Sequence, residues 1–407
     1  MLMSEVNRCL LCKNARCQAA CPIHTKVPEV MTLLKNSQRL DAQRLLFEHN
    51  PLSAVCAIVC NHEEQCLGNC IRGIKGESIA FHEIEREISH EYLMNTDFSV
   101  YQNSSNGYNI AIVGAGPVGI SGAIYLASKG HSVTIYEKNS KLGGVLQYGI
   151  PSFRLGKDIV DRFTAILNNL NVNVVYNTTI GVDLTLQELS NKHDAVLLGI
   201  GAEVANKLNI TGEDLPTVHY AIEYLKDAAK YNLNGKVIVL GAGNVAMDAA
   251  RTSKRLGADT SIYYRKSFED MKASKTEIED TKEDGVDFVF FKSPVEITEE
   301  GVIFCDSENV VDENGRVSTK LIRGTEHLVK CDATIIAVSQ NVDSLIFETS
   351  SLEAGKWGNV NVDDNYQTNV KNVFAAGDGV TGARSVVEAV NGTKNAVDKI
   401  IEYLDNK

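Results

Sequence analysis

The 407-residue chain lacks any long apolar run and any start typical of an exported protein. No stretch approaches the roughly 18 consecutive apolar residues that a membrane span needs. The first five residues are not a basic segment leading into an apolar one, as a secretory signal would be. Low-complexity segments are also missing. These absences argue against a membrane protein and predict a cytoplasmic one.

Positive charge is scarce as well, with 40 basic against 52 acidic residues and a net charge of -12. A surplus of negative charge repels polyanions, which disfavours nucleic acid and anionic membranes as partners. A basic protein surface would suit this chain better. None of the nine histidines has the spacing of a metal site.

Cysteine, by contrast, is concentrated in one short segment. Eight of the ten cysteines fall in the runs Cys9-x2-Cys12-x4-Cys17-x3-Cys21 and Cys56-x3-Cys60-x5-Cys66-x3-Cys70. Such density indicates disulfides, zinc or iron–sulfur clusters. In a reducing cytosol, metal is favoured over disulfides.

The chain changes character near residue 100. Residues 1–94 read as helical, with one amphipathic run opening at Pro28 and a second from about Ile79 to Leu93. The polar stretch from Asn95 to Tyr108 is rich in Asn and Ser and is typical of a linker.

Two dinucleotide-binding patterns follow the linker. The apolar run 110–113 leads into a glycine-rich turn and a helix, and the run 236–240 repeats this pattern. Glycines at such a turn permit close approach of a pyrophosphate to the helix N-terminus. The predicted contacts are Gly114, Gly116, Pro117 and Gly119 in the first turn, and Gly241, Gly243, Asn244 and Val245 in the second.

The residue that ends the second strand separates the two folds. Glu137 in the first fold can accept hydrogen bonds from both ribose hydroxyls of an adenosine. The equivalent position of the second fold is Tyr264, followed by Arg265 and Lys266. A cation without a carboxylate suits a 2′-phosphate, so NADPH is favoured and NADH remains possible. The alternative is that both cations simply end a solvated strand.

The C-terminal sequence Thr368-x4-Val373-Phe374-Ala375-Ala376-Gly377-Asp378 resembles the second FAD motif of two-dinucleotide flavoproteins. In that motif the Asp binds the ribityl chain of the flavin. The resemblance assigns FAD to the first fold and the C-terminus, and leaves the second fold for the nicotinamide nucleotide.

Most of the chain resembles the family of glutamate synthase small subunits, the N-terminal half of dihydropyrimidine dehydrogenases and related transhydrogenase subunits. The matching segments are Cys9-Leu10-Leu11-Cys12, Cys17-x3-Cys21-Pro22, Gly114-Ala115-Gly116-Pro117, Leu142-Gly143-Gly144, Tyr148-Gly149-Ile150-Pro151-x-Phe153-Arg154-Leu155, Gly241-Ala242-Gly243-Asn244-Val245-Ala246-Met247-Asp248 and Ala376-Gly377-Asp378. The resemblance adds FAD contacts at Lys138, Gly143, Gly144, Arg154 and Val386.

The resemblance also implies two [4Fe–4S] clusters. Cys9, Cys12, Cys17 and Cys70 are expected to hold one of them. Cys21, Cys60 and Cys66 are expected to hold the other, with Glu85 as the fourth ligand and Cys56 as its competitor. Zinc at all eight thiols is the alternative.

The expected fold class is α/β, with an N-terminal all-helical iron–sulfur domain followed by two Rossmann-like domains, the second inserted in the first. The predicted domains are residues 1–100 for the clusters, 108–220 with 335–407 for FAD, and 221–334 for NAD(P)H.

The expected function is electron input, from NAD(P)H through FAD and two clusters to a partner. No catalytic side chain is required, because hydride passes between bound cofactors. No barrel of about 250 residues is present to hold FMN, so we expect a hetero-oligomer with an FMN-containing catalytic subunit or a ferredoxin-like acceptor. The alternatives are a stand-alone reductase of ferredoxin or another acceptor, and a zinc-stabilised nucleotide-binding module without turnover.

Overall fold

The protein is described here from a computed structural model that covers residues 2–311, 313, 315 and 317–407. The chain forms two compact units. The first consists of the residues up to Gln147 with Ser152–Ala202 and Asn341–Lys407, and the second of Tyr148–Pro151 with Glu203–Gln340. The long segment of the second unit therefore interrupts the first unit, which confirms the predicted insertion. The boundaries proposed for the three functional domains stay predictions.

The first unit begins with a helical layer. Its helices are α1 (Leu2–Arg8), α2 (Arg16–Ala19), α3 (Val27–Lys35), α4 (Arg39–His49), α5 (Ser53–Val59) and α6 (Phe81–Asn95).

The predicted apolar run after Pro28 is divided between α3 and α4. Pro28 stands in the first turn of α3, where its missing N–H costs nothing. Ser37, with φ of 60°, separates the two helices. Leu40, an apolar residue of this run, is 56% exposed and therefore lies outside the buried stripe. The core of this layer is formed by Val6, Val30, Met31, Leu46, Ile84 and Ile88.

The segment predicted as a linker begins with a packed turn. Residues Phe98–Tyr101 form a short 3-10 helix. The Phe98 ring is fully buried, with its centroid 4.7 Å from that of Phe47. Arg162 donates to the carbonyls of Leu93 and Thr96 just before this turn. The start of the linker is thus tied to both the helical layer and the fold that follows.

The first Rossmann-like fold starts at residue 109. Its early elements are β1 (Asn109–Val113), α7 (Pro117–Ala127), β2 (Ser132–Tyr136), α8 (Val145–Tyr148), α9 (Lys157–Asn169), β3 (Asn173–Val175), α10 (Leu186–Lys192) and β4 (Ala195–Leu198).

The inserted segment contains the second Rossmann-like fold. Its elements are β5 (Val204–Ala205), β6 (Val218–Tyr220), α11 (Ala221–Lys226), β7 (Lys236–Leu240), α12 (Asn244–Arg255), β8 (Asp259–Tyr264), α13 (Lys275–Glu283), β9 (Asp287–Phe290), β10 (Lys292–Thr298), β11 (Gly301–Val311), β12 (Val317–Leu321), β13 (His327–Lys330) and β14 (Ala333–Ile336). The chain then returns through β15 (Gln340–Asn341), α14 (Leu345–Glu348), β16 (Val373–Ala375), α15 (Asp378–Thr381) and α16 (Val386–Asp405).

Each fold is built on a five-stranded parallel sheet. The strand order is β16-β4-β1-β2-β3 in the first unit and β6-β14-β7-β8-β9 in the second. Strands β4 and β14 each lie second from one edge of their sheet. Both are buried along their whole length, as parallel strands covered on both faces require. A four-stranded antiparallel sheet of β10 to β13 lies between β9 and β14 in sequence, and the sequence patterns did not predict it. None of the described helices is long and apolar enough to cross a membrane.

Candidate functional site

The first glycine-rich turn is shaped by contacts that leave no room for side chains. Gly114 has φ of 93°, and a Cβ there would lie 2.5 Å from the Gly199 carbonyl oxygen. A Cβ on Gly119 would lie 2.0 Å from the Gly114 carbonyl oxygen. The glycines at these two positions are therefore required by the approach of β1, β4 and α7, as well as by any ligand.

The segment that contains Gly143 and Gly144 packs against this turn. A Cβ on Gly144 would lie 2.8 Å from the Cα of Gly116, and the Gly143 N–H donates to the Ala115 carbonyl at 2.7 Å. The structure thus brings the glycines of two predicted FAD motifs into direct contact.

Glu137 follows β2 and is almost fully buried beside the turn. Its Oε2 accepts from the Ala115 N–H at 2.7 Å, and its Oε1 accepts from the backbone and side chain of Asn139 at 2.8 Å. These bonds hold the carboxylate at the carboxyl end of β2, where such a group would bind the hydroxyls of a ribose. Lys138, the next residue, is exposed.

Asp378 closes the same edge from the C-terminal segment. Gly377, with φ of 70°, turns the chain from β16 into α15, and its Cβ position lies 2.5 Å from Val118 of α7. Burial raises the pKa of the Asp378 carboxyl to about 7, although the Arg384 N–H donates to it at 3.2 Å. Val386 begins α16 directly after this loop. Arg154 lies apart in sequence, half-buried between α8 and α9.

The second glycine-rich turn is more open. Gly241 has φ of 146°, and a Cβ there would lie 2.3 Å from the Ala337 carbonyl oxygen, whereas nothing lies within 4 Å of a Cβ built on Gly243. Asn244 starts α12 and accepts from the Ser274 N–H at 3.0 Å. Val245 packs against the core of the second unit. Open space at Gly243 is what backbone contact with a pyrophosphate needs.

The two cations after β8 differ in their surroundings. Lys266 donates to the Val317 carbonyl at 2.9 Å, so its ammonium is held against β12. Arg265 is exposed at the carboxyl end of β8, next to the strand that carries the second glycine turn. Arg265 is therefore better placed than Lys266 to meet a ligand phosphate.

Five cysteines from the two runs line one cavity of about 90 Å³. Burial, and then the neighbouring thiols, raise the pKa of the Cys17 thiol to about 11. The Ile79 N–H points at the sulfur of Cys70, 3.4 Å away. The cysteines that line the cavity are Cys9, Cys12, Cys17 and Cys70, the set expected for one cluster, together with Cys66.

The other predicted ligands, Cys21, Cys60, Cys66 and Glu85, form a second group, which we call the deeper thiol group. Burial, and then the charge of Cys56, raises the pKa of the Glu85 carboxyl well above its usual value. Burial raises the pKa values of Cys21 and Cys66, and the hydrogen bond with Cys56 and then burial raise that of Cys60. The charge of Glu85 adds to the rise at all three thiols. A carboxylate and three thiols buried together suit a cation, because each charged form is otherwise costly.

Cys56 belongs to the same group. Its thiol interacts with that of Cys60 and accepts from the Asn50 amide at 3.3 Å. The structure therefore brings both candidates for the eighth ligand beside the other three. Among the described residues, no three His, Cys, Asp or Glu side chains are arranged for a single metal ion.

The thiol donor sets fit iron–sulfur clusters, and the sheet-edge motifs fit FAD and a pyridine nucleotide. When bound, FAD and the clusters convert the hydride of the nucleotide into single electrons. The protein's own part is to hold these groups and to exclude water around the deeper thiols.

One connection was missed by sequence reasoning. The Tyr125 hydroxyl of α7 donates to the His49 carbonyl at 2.7 Å, and Lys394 of α16 lies 3.2 Å from His49 Nδ1. His49 Nε2 lies 2.7 Å from the Ile23 carbonyl, two residues beyond Cys21. These contacts join α7 and α16 of the first Rossmann-like fold to a cysteine loop. No local pattern marks them, because the partners are up to 345 residues apart.

Comparison with known proteins gives matches along almost the whole chain. The family model for pyridine nucleotide-disulphide oxidoreductases matches residues 108–393. The model for dihydropyrimidine dehydrogenase domain II, 4Fe-4S cluster, matches residues 1–96.

Individual relatives agree with these families. The chain is 32% identical to the glutamate synthase [NADPH] small chain of Halomonas elongata, over 99% of this chain and 90% of that one. It is 31% identical to the NAD-dependent dihydropyrimidine dehydrogenase subunit PreT of Escherichia coli, over 100% of this chain and 95% of that one.

The fold also resembles solved structures. The structure of Mycobacterium tuberculosis FprA in complex with NADPH covers 74% of this chain, and 85% of FprA is matched, with a TM-score of 0.66 and 20% identity. This likeness concerns the fold alone. The two family matches and the relatives show that the chain belongs to the pyridine nucleotide-disulphide oxidoreductases and is an NAD(P)H-dependent oxidoreductase with FAD and [4Fe–4S] clusters.

Proposed function

We propose that this protein is the electron-input subunit of a larger enzyme, taking reducing equivalents from NADPH and delivering single electrons to a partner. The observation that carries this is the position of the deeper thiol group. Its helix α5 packs against α16, and the charge of Cys56 influences Tyr125 on α7. Both α7 and α16 begin at predicted FAD contacts. The thiols therefore adjoin two helices that also reach the predicted flavin site, within the same compact unit.

The proposed cofactor contacts are those predicted from the sequence. FAD would be held by the turn after β1, by Glu137, by the Gly143–Gly144 pair and by Asp378. The geometry supports this, because these segments meet at one edge of the sheet. NADPH would be held by the turn after β7, with Arg265 on the 2′-phosphate.

The cluster ligands are proposed as two sets. Cys9, Cys12, Cys17 and Cys70 would hold one cluster, a choice supported by their shared cavity. Cys21, Cys60, Cys66 and Glu85 would hold the other, supported by their mutual electrostatic influence.

The partner is proposed to be an FMN-containing catalytic subunit. The two relatives described above are named as a small chain and as a subunit, which supports a place in a multi-subunit enzyme. Within the described residues the parallel strands form two five-stranded sheets, and neither is a barrel. We propose that the terminal substrate binds to this partner chain and that the complex works in the cytoplasm.

Anaerobic isolation from the native cells tests this proposal. We expect the protein to copurify in fixed ratio with a chain that contains FMN, and NADPH to bleach both the flavin and the iron–sulfur absorption. A monomer that is fully active with ferredoxin alone would instead identify a stand-alone reductase. A protein without visible absorption would point to the zinc form.

A further inference from the structure

Two cysteine loops of the helical layer form an exposed face, which we call the cysteine-loop face and define as residues 9–17 and 70–76. Both loops line the cavity that is also lined by five predicted ligand thiols, the four of the first set and Cys66. Three large apolar side chains stand out from this face: Leu10 is 59% exposed, Ile71 39% and Ile74 62%. Apolar side chains grouped around a functional cavity are a common mark of a binding surface.

The charge of this face is opposite to that of the whole molecule. The two loops contain Lys13, Arg16, Arg72 and Lys75 and no acidic residue, while the chain has a net charge of -12. None of these four cations forms an ion pair with another residue that the structure describes. Arg16 and Arg72 themselves line the cavity. The face therefore has an apolar centre and an unneutralised positive rim.

The two predicted ligand sets differ in their access to solvent. In the deeper set Glu85, Cys21 and Cys66 are buried and Cys60 is half-buried. Helix α5, which ends just before Cys60, packs against α16 of the first Rossmann-like fold. Cys9, Cys12, Cys17 and Cys70 are only half-buried, directly beneath the exposed loops. Electron exchange with another protein is thus favoured at the cysteine-loop face.

We propose that the cysteine-loop face docks a partner polypeptide that surrounds its own one-electron centre with acidic residues. This inference rests on the proposed electron-input function. Each NADPH that is oxidised to NADP⁺ and a proton releases two electrons, so two one-electron acceptors are reduced in turn at this face. Because the rim of this face is charged, association with such a partner is expected to be fast at low salt and to weaken as salt is raised.

The test uses the full, cofactor-loaded protein and an acidic plant-type [2Fe–2S] ferredoxin as the probe. The double variant Lys13→Glu/Lys75→Glu reverses two exposed charges of the face. The matched control Lys356→Glu/Lys371→Glu makes the same charge change at exposed lysines elsewhere in the first unit. Binding is measured by calorimetry at low and high salt, and reduction of a neutral quinone by NADPH reports on the rest of the enzyme.

We expect the face variant to raise the Kd for ferredoxin by about tenfold or more at low salt, as removal of steering charges does. High salt should weaken the unmodified protein towards the same value. The control variant should bind like the unmodified protein, and all three should reduce the quinone equally and contain the same iron.

Equal Kd values for the face variant and the control would overturn the proposal. Failure of the unmodified protein to bind ferredoxin at low salt would also overturn it, because the face is defined by its charge. The electron-input function fails separately, if NADPH bleaches the flavin but never the iron–sulfur absorption.

Discussion

Two side chains, Glu85 and Cys56, are the candidates for the fourth cluster ligand in the deeper thiol group. Glu85 and Cys56 are both almost fully buried there. Cys56 already accepts a hydrogen bond from Asn50, whereas the Glu85 carboxyl acts on all three cysteines of its proposed set. A carboxylate among thiols changes the charge and donor set of a cluster, and with them its reduction potential.

Replacing Glu85 by Ala is expected to remove or alter one of the two clusters. The physical reason is that three thiolates then lack their fourth ligand. Low-temperature EPR of the reduced protein and iron content measure the change. The matched control is Cys56→Ala, which should keep both signals. The reverse result, with loss in Cys56→Ala and normal spectra in Glu85→Ala, would transfer the ligand role to Cys56.

Replacing Arg265 by Ala is expected to raise KM for NADPH about tenfold, because a charge-assisted hydrogen bond to phosphate contributes roughly 1.5–3 kcal/mol. KM for NADH should change little. Steady-state kinetics with both nucleotides measure the difference. Lys266→Ala should have the smaller effect, since that ammonium is engaged with Val317. Equal losses with both nucleotides would refute the phosphate contact.

Helices of distant sequence are joined at the end of α4. Lys394 of α16 is a donor only, so Nδ1 of His49 accepts and Nε2 carries the proton that goes to the Ile23 carbonyl. Burial, and then Lys394 and the weaker charge of Lys26, lower the pKa of His49, with Glu29 opposing them. The neutral imidazole therefore links the loop after Cys21 to α16 of the first Rossmann-like fold.

Acid is expected to weaken this link. Because the pKa of folded His49 is lowered, the stability it contributes is present above the ordinary pKa of about 6.5 and is lost as pH falls below it. His49→Gln, which cannot be protonated, should lose about 1 kcal/mol at pH 7.5 but show less loss between pH 7 and 5.5. Denaturant midpoints across this range measure both effects. Parallel curves for the two proteins would exclude His49 as the source.

At the scale of the whole molecule, the helical layer combines its apolar core with metal ligands. The layer buries Glu85 and several thiols, and buried ionisable groups without partners oppose folding. Metal binding in such domains contributes directly to folding free energy. The Rossmann-like folds, in contrast, have extended apolar cores of their own.

Removal of iron is expected to act unevenly on the protein. After chelation under mild oxidation, hydrogen exchange should accelerate in residues 2–96 and stay slow in β7, β8 and α12. The second Rossmann-like fold, which contains β7, β8 and α12, serves as the internal control within each measurement. Uniform acceleration along the chain would mean that the clusters stabilise the molecule as a whole.

The architecture could be predicted from local sequence because its signals are short. The turns at Gly114 and Gly241 each follow an apolar strand within a few residues, and steric demands on the backbone reveal them directly. The insertion was inferred from the C-terminal segment Thr368 to Asp378, whose resemblance to a second FAD motif assigned the C-terminus to the first fold. The antiparallel sheet of β10 to β13 had no such signal, because burial along β10 and β11 does not alternate regularly, although only two residues separate these strands.

The sequence by itself determined the two nucleotide folds and the supply of clustered thiols, because each depends on neighbouring residues. The insertion of one fold in the other could be inferred only through the resemblance of the C-terminal segment to a FAD motif, since it depends on the pairing of β16 with β4. Only the tertiary structure placed Glu85 beside Cys21, engaged Lys266 while leaving Arg265 exposed, joined His49 to α7 and α16, and gathered the cysteine-loop face. These relations depend on which distant segments pack together, and that is decided by burial across the whole chain.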